Sequence, residues 1–220
     1  MRLMATSGAL LALSLAFTGC AGPDQTAAEP ASPRPVADRP EDVQPLTTGD
    51  RAPAPTLRDA AGSPTNLARA YGDRATVLVF YRGGWCPYCN THLSELIEAE
   101  AKLLDAGFQI LAVSPDRPAK LREAADDHGF SYRLLSDSNM QLARAFGLAF
   151  RVDDDTLERY DEFGIDLEDA SGEAHHLLPV PAVYLIDRAG VVRFAYWNPD
   201  HRERLDGDDL LEAARAMADG

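Results

Sequence analysis

One junction constrains this chain more than any other. Thr76 to Tyr81 (TVLVFY) is a short apolar run rich in β-branched and aromatic residues, the pattern of a buried strand. Residues 87 to 106 follow almost at once and read as a helix. Leu93, Leu96, Ile97, Leu103 and Leu104 fall on one face at helical spacing, and Gly107 closes the segment. Phe108 to Val113 (FQILAV) is then the next buried strand. A buried strand that feeds an amphipathic helix and returns as a buried strand needs a sheet with helices packed against it.

The rest of the chain extends that scheme. Ala52 to Leu57 and Ser63 to Leu67 flank Asp59-Ala60-Ala61-Gly62 as a small hairpin. Pro118 to His128 is predicted helical, Tyr132 to Leu135 a strand, and Asn139 to Phe146 a helix ending at Gly147. Ala182 to Ile186 and Val191 to Tyr196 flank the turn Asp187-Arg188-Ala189-Gly190, and Asp208 to Ala218 is a final helix. The expected class is α/β, with a central mixed sheet covered on both faces. Residues 151 to 176 interrupt the order as an acidic insertion inside the same domain. Its helical candidate runs from Asp153 to Phe163. Asp153-Asp154-Asp155 fits a helix N-terminus better than a calcium loop, whose spacing is absent.

The first 19 residues have the form of a lipoprotein signal peptide. Arg2 is followed by an apolar stretch, Ala9 to Phe17, about half the roughly 20 residues that span a bilayer as a helix. Phe17-Thr18-Gly19-Cys20 resembles a lipoprotein cleavage site, with Phe17 where leucine is usual. Cys20 is the expected lipidation site, giving membrane attachment on the periplasmic side of the inner or outer membrane of a bacterial envelope. Residues 20 to 48, with Pro23, Pro30, Pro33, Pro35, Pro40 and Pro45 and no apolar periodicity, read as a linker. The domain is expected from 49 to 220. Lys and Arg total 21 against 35 Asp and Glu, a net charge of −14, which excludes a nucleic-acid partner because phosphate binding needs a basic face.

Chemistry concentrates in Trp85-Cys86-Pro87-Tyr88-Cys89. Cys86 falls at the helix N-terminus, where free N–H groups and the macrodipole favour a thiolate. Pro87 suits the first helical turn. Cys89 lies one turn on, within disulfide reach and more shielded. A structural zinc site needs four ligands and usually two such pairs, and only one is present. A purely structural disulfide across two residues would be strained. The redox-active reading is preferred: an attacking thiol and a resolving partner. Leu178-Pro179-Val180-Pro181-Ala182 enters a strand; the placement resembles that of the proline of thioredoxin-like folds, which implies a cis Val180–Pro181 bond facing the cysteines, with a trans bond that merely starts the strand as the alternative.

These segments together resemble the peroxiredoxin-like branch of the alkyl hydroperoxide reductase and thiol-specific antioxidant (AhpC/TSA) family, in the thioredoxin-like superfamily. The matching stretches are GDRAPAPTLRDAAG (49–62), VLVFYRGGWCPYCNTHLSEL (77–96), ILAVSPD (110–116), LLSDSNMQLARAFGLAFRV (134–152), YDEFGIDL (160–167) and LPVPAVYLIDRAGVVRFAY (178–196). The resemblance implies a thioredoxin-like fold, Cys86 as the peroxidatic cysteine and Cys89 as the resolving one. It also implies a hydroperoxide substrate, regeneration by thioredoxin or an envelope thiol reductant, and no cofactor or metal. Two positions depart from the family pattern. Gly83 stands where Thr or Ser usually binds peroxide oxygen, and Pro181 or Ala182 where an arginine usually activates the thiolate. Arg82, four residues before Cys86, is the candidate to supply that charge.

The departures and the Cys-Pro-Tyr-Cys tetrad keep a thiol–disulfide oxidoreductase, acting on protein or small-thiol disulfides, as the alternative. A copper-binding module using Cys86, Cys89, His175 and His176 is the non-enzymatic one. Trp85 is expected to shield the nucleophile and Tyr88 to lie beside it. Tyr81 reads as a strand core residue and His92 as a surface residue. Asp200, Arg202 and Arg204 receive no role.

Overall fold

The computed structural model describes residues 34–218. The signal peptide, Cys20 and the first part of the linker therefore lie outside the described residues. β1 (Thr56–Asp59) and β2 (Pro64–Asn66) form the hairpin. α1 (Leu67–Asp73) follows, capped by the Asn66 side chain, and was not anticipated. β3 (Ala75–Phe80), α2 (Pro87–Asp105) and β4 (Phe108–Ser114) make the strand–helix–strand unit. Then come α3 (Pro118–His128), β5 (Arg133–Ser136), α4 (Gln141–Ala145) and β6 (Ala149–Arg151). The insertion holds α5 (Asp154–Glu162) and α6 (Leu167–Ser171). β7 (Leu177–Pro179), β8 (Ala182–Ile186), β9 (Val192–Trp197) and α7 (Gly207–Ala218) complete the chain.

Seven strands form one mixed sheet in the order β2-β1-β5-β4-β3-β8-β9, and β6 pairs with β7 separately. β4 runs parallel to both β3 and β5, while β8 is antiparallel to β3. Alternation along β3 divides the core. Leu78 and Phe80 face a cluster with Tyr71, Phe146 and Tyr184, whereas Val77, Val79 and Tyr81 face α2, α3 and α7 through Leu93, Leu121 and Leu210. Helices thus cover both faces, as expected for the thioredoxin-like class.

Two expectations need correction. Residues 34–48, read as the end of a linker, are laid along the domain. Ala37 bridges Phe150, the Gln44 and Leu46 N–H groups donate to the Gly147 and Phe146 carbonyls, and the Leu46 side chain is buried. A proline-rich stretch has no hydrogen-bonding period of its own, but neighbouring backbone can still order it. Gly147 makes the approach possible: a Cβ there would lie 2.1 Å from the Gln44 carbonyl oxygen. The second correction concerns Val180–Pro181, which is trans, as are all peptide bonds of the described residues. Val180 packs in the cluster on the sheet face opposite the cysteines. Its N–H donates to Leu148 and the Pro181 carbonyl accepts from Asn198, so an extended chain carries β7 into β8.

Candidate active site

β3 ends at Phe80, and the loop from Tyr81 to Cys86 carries the chain to α2. Cys86 is the N-cap residue and Pro87 the first helical residue; the Cys89 and Asn90 N–H groups both donate to the Cys86 carbonyl. The loop is held from two sides. Asp116, buried just beyond β4, accepts from the Gly84 N–H at 2.7 Å, and the Asn90 side-chain amide donates to the Gly84 carbonyl at 2.7 Å. Gly83 has φ +150°, and a Cβ there would sit 2.3 Å from Trp85 Nε1 and 2.9 Å from Asp116. The position that carries Thr or Ser in the resembling family is therefore sterically and conformationally reserved for glycine here.

Arg82 points inward. Its side chain is buried, with Nη1 3.9 Å from the Cys86 sulfur. The guanidinium lies 5.0 Å from the Trp85 ring centre and 5.6 Å from that of Tyr160, and it also donates to the Tyr160 hydroxyl. Among the described residues no carboxylate pairs with Arg82, so its nearest counter-charge is the Cys86 sulfur as thiolate. Tyr160 comes from α5 in the insertion, and its ring also packs on Trp85 at 5.4 Å. The insertion is thus a cover on the cysteine site.

Both cysteines are free thiols and buried, Cys86 at 1% exposure and Cys89 at 0%. Their acidities are driven apart. The Cys89 thiol donates to the Cys86 sulfur, and with the Arg82 charge this outweighs burial and lowers Cys86 from 9.0 to about 6. Burial, reinforced by the hydrogen bond to Cys86 and its charge, raises Cys89 well above an ordinary thiol. One sulfur is the anion and the other the proton carrier. The Arg204 guanidinium, from the segment after β9, lies 3.6 Å from the Cys89 sulfur.

The remaining sequence candidates divide. Trp85 shields the site from one side and remains half-buried, its indole N–H unpaired. Pro87 and Tyr88 are exposed beside the cysteines, Tyr88 at edge-to-face distance from His201. Val180 stands apart on the opposite core, as above. His92, expected at the surface, is buried at 5% exposure on the α2 face shared with Cys89 and Leu96. Burial depresses its basicity to about 4. His175 and His176 do not approach the cysteines: His175 binds the Ser138 carbonyl and the Leu177 N–H, and His176 pairs with Glu168. Among the described residues no group of three or more His, Cys, Asp or Glu side chains is placed to hold a metal ion. Sequence reasoning missed Tyr160 and Arg204, which no local spacing connects to the cysteines.

A mixed sheet with a buried cysteine at the N-terminus of the helix after β3, and a second cysteine one turn on, defines a thioredoxin-like dithiol protein. Residues 48–195 match the model of the AhpC/TSA family, and the chain belongs to that family. It is 35% identical over 102 residues to a Mycobacterium tuberculosis relative whose name marks it as a provisional peroxiredoxin; the match covers 46% of this chain and 64% of that one. It is 34% identical over 106 residues to peroxiredoxin Bcp of Escherichia coli, covering 48% and 67%. The chain thus spans about two thirds of the length of these curated relatives. Peroxidoxin BcpB from Mycobacterium tuberculosis shares the fold, with TM-score 0.61 and 22% identity, over 78% of this chain and 98% of the other.

Proposed function

We propose that the protein is a thiol-dependent hydroperoxide reductase using a Cys86–Cys89 dithiol–disulfide cycle. The observation that carries this reading is the charge arrangement: a Cys86 thiolate at a helix N-terminus, with the buried Arg82 guanidinium 3.9 Å away. The thiolate attacks one peroxide oxygen. The O–O bond breaks, and the leaving alkoxide takes a proton to become an alcohol. Arg82 faces the developing charge and supplies the cation that the resembling family usually places just before the late strand. Cys86 becomes a sulfenic acid. The Cys89 sulfur displaces its hydroxyl, the Cys89 proton leaves with it as water, and a disulfide forms. A dithiol reductant of thioredoxin type then takes the disulfide and regenerates both thiols.

The enclosure of Cys86, 1% exposed, fits a small hydroperoxide as the oxidant, and the larger reductant reaches the disulfide through local opening of the cover. We place the enzyme in the bacterial envelope, lipid-anchored at Cys20, on the strength of the Phe17-Thr18-Gly19-Cys20 motif alone. Stopped-flow mixing of the reduced protein with hydrogen peroxide, followed by tryptophan fluorescence, tests the activity. Oxidation orders of magnitude faster than free cysteine, abolished in Cys86→Ser, is expected. A rate no better than free cysteine, with rapid exchange against a disulfide substrate, would establish a thiol–disulfide oxidoreductase instead.

A further inference from the structure

The thiol chemistry of this site needs charge stabilised at two sulfurs, and Arg82 serves only one of them. The segment between β9 and α7 supplies the second cation. Asp200 holds Arg202 through paired contacts of 2.9 and 2.7 Å, and His201 lies against Tyr88. This carries Arg204 over the start of α2. There its Nη2 lies 3.6 Å from the Cys89 sulfur and its Nη1 donates to the Glu203 carbonyl, while among the described residues no carboxylate neutralises it. Leu205, next in sequence, is buried in the core with Cys89, which fixes the segment against the helix.

We propose that Arg204 is a catalytic residue for the disulfide half of the cycle, stabilising negative charge on Cys89 when the Cys86–Cys89 bond is broken. When a reductant thiolate attacks the Cys86 sulfur, the S–S bond cleaves and its electron pair goes to Cys89. That sulfur is buried, so its thiolate needs a fixed counter-charge where water is excluded. Arg204 is the group in position. The reverse step uses the same contact: Cys89 gives up its proton as its sulfur attacks the Cys86 sulfenic acid. The two arginines thus divide the cycle, Arg82 on the attacking sulfur and Arg204 on the resolving one.

The assignment rests on the Cys86–Cys89 cycle proposed above, and its test is independent of peroxide. The disulfide form of the full chain is reduced with dithiothreitol, in the wild type, Arg204→Met and Arg204→Lys. The rate of reduction and the equilibrium with the reagent are both measured. Arg204→Met is expected to slow reduction about tenfold. It should also shift the equilibrium up to about tenfold toward the disulfide, at most about 30 mV more reducing, because the reduced site keeps its anion on Cys86 and the Arg204 charge acts on that sulfur too. Arg204→Lys, which keeps the charge, should recover most of both. An Arg204→Met protein with wild-type rate and equilibrium would overturn the assignment, as would equal losses in Met and Lys or failure of the wild type to form this disulfide. Slow wild-type oxidation by peroxide, with the Arg204 effects intact, would refute the peroxidase reading alone.

Discussion

The Arg82 guanidinium and the Cys86 sulfur lie 3.9 Å apart inside the protein, joined by only three intervening residues of loop. The loop geometry turns both side chains toward the same space between Trp85 and Tyr160. A buried guanidinium stabilises the thiolate, and the Cys86 pKa near 6 depends on it along with the Cys89 hydrogen bond. The rate of reaction with peroxide should therefore rise with pH through about 6 and level off above it. Arg82→Met should move that inflection upward by about one unit or more, cutting the thiolate present at neutral pH about twofold for one unit and about tenfold for two. Ultraviolet titration of thiolate absorbance alongside stopped-flow rates checks both; an unmoved inflection would remove Arg82 from the mechanism.

Restoring the hydroxyl common in the resembling family should fail here. Gly83 has φ +150°, and a Cβ at that position would collide with Trp85 and the Asp116 carboxylate. Gly83→Thr is expected to cost about 2 kcal/mol or more of stability and to slow peroxide oxidation rather than speed it. Urea denaturation and stopped-flow kinetics on the variant decide the matter. A stable, faster enzyme would show that the loop can re-form around a side chain.

The cover over Cys86 also makes a measurable claim. Tyr160 packs on Trp85 and receives the Arg82 hydrogen bond, which closes the site with a side chain from the insertion. Tyr160→Ala should open Cys86 to bulky reagents. Alkylation by a maleimide is expected to accelerate at least about tenfold, since the wild-type sulfur is reached only through local opening. Peroxide, being small, should gain little. Equal maleimide rates in both proteins would mean that access is controlled elsewhere.

Asp137 gives a stability prediction. Its carboxylate accepts the Leu142 and Ala143 N–H groups at 2.9 and 2.8 Å, yet burial outweighs them and raises its pKa from 3.8 to about 7. Between those values the folded chain binds the proton and the unfolded chain does not. Its contribution to stability therefore falls as pH rises from about 4 toward 7. Asp137→Asn should flatten the fall of the urea midpoint over that range. An unchanged slope would show that Asp137 does not carry it.

How far the site was legible follows from distance along the chain. The strand, the helix and the cysteine pair are encoded within about thirty residues, where apolar period and helix-start chemistry speak directly. His92, expected at the surface because of its polarity, instead shares the buried α2 face with Cys89 and Leu96, a position that the helical period marks as internal. Tyr160 lies 78 residues from Arg82, and Arg204 lies 115 residues from Cys89. Each joins the site through tertiary packing that no local pattern records. Val180–Pro181 shows the converse, since a family expectation set the bond as cis while the chain runs extended and trans there.

The segment from 34 to 48 carries the last prediction. A linker that only supplies reach can be removed without loss, but this one is part of the core. Leu46 is 4% exposed, and its N–H and that of Gln44 are bonded to the end of α4. Leu46→Ala should cost about 2 to 5 kcal/mol, the usual range for a buried leucine. Gly147→Ala should also destabilise the chain, because its Cβ would press on the Gln44 carbonyl oxygen and push the segment away. A chain beginning at residue 49 should denature at lower urea than one beginning at residue 34. In it, the additional cost of Gly147→Ala should shrink, since the opposing carbonyl is gone; that non-additivity is the signature of direct contact. Equal midpoints for the two lengths would return residues 34–48 to the role of a tether.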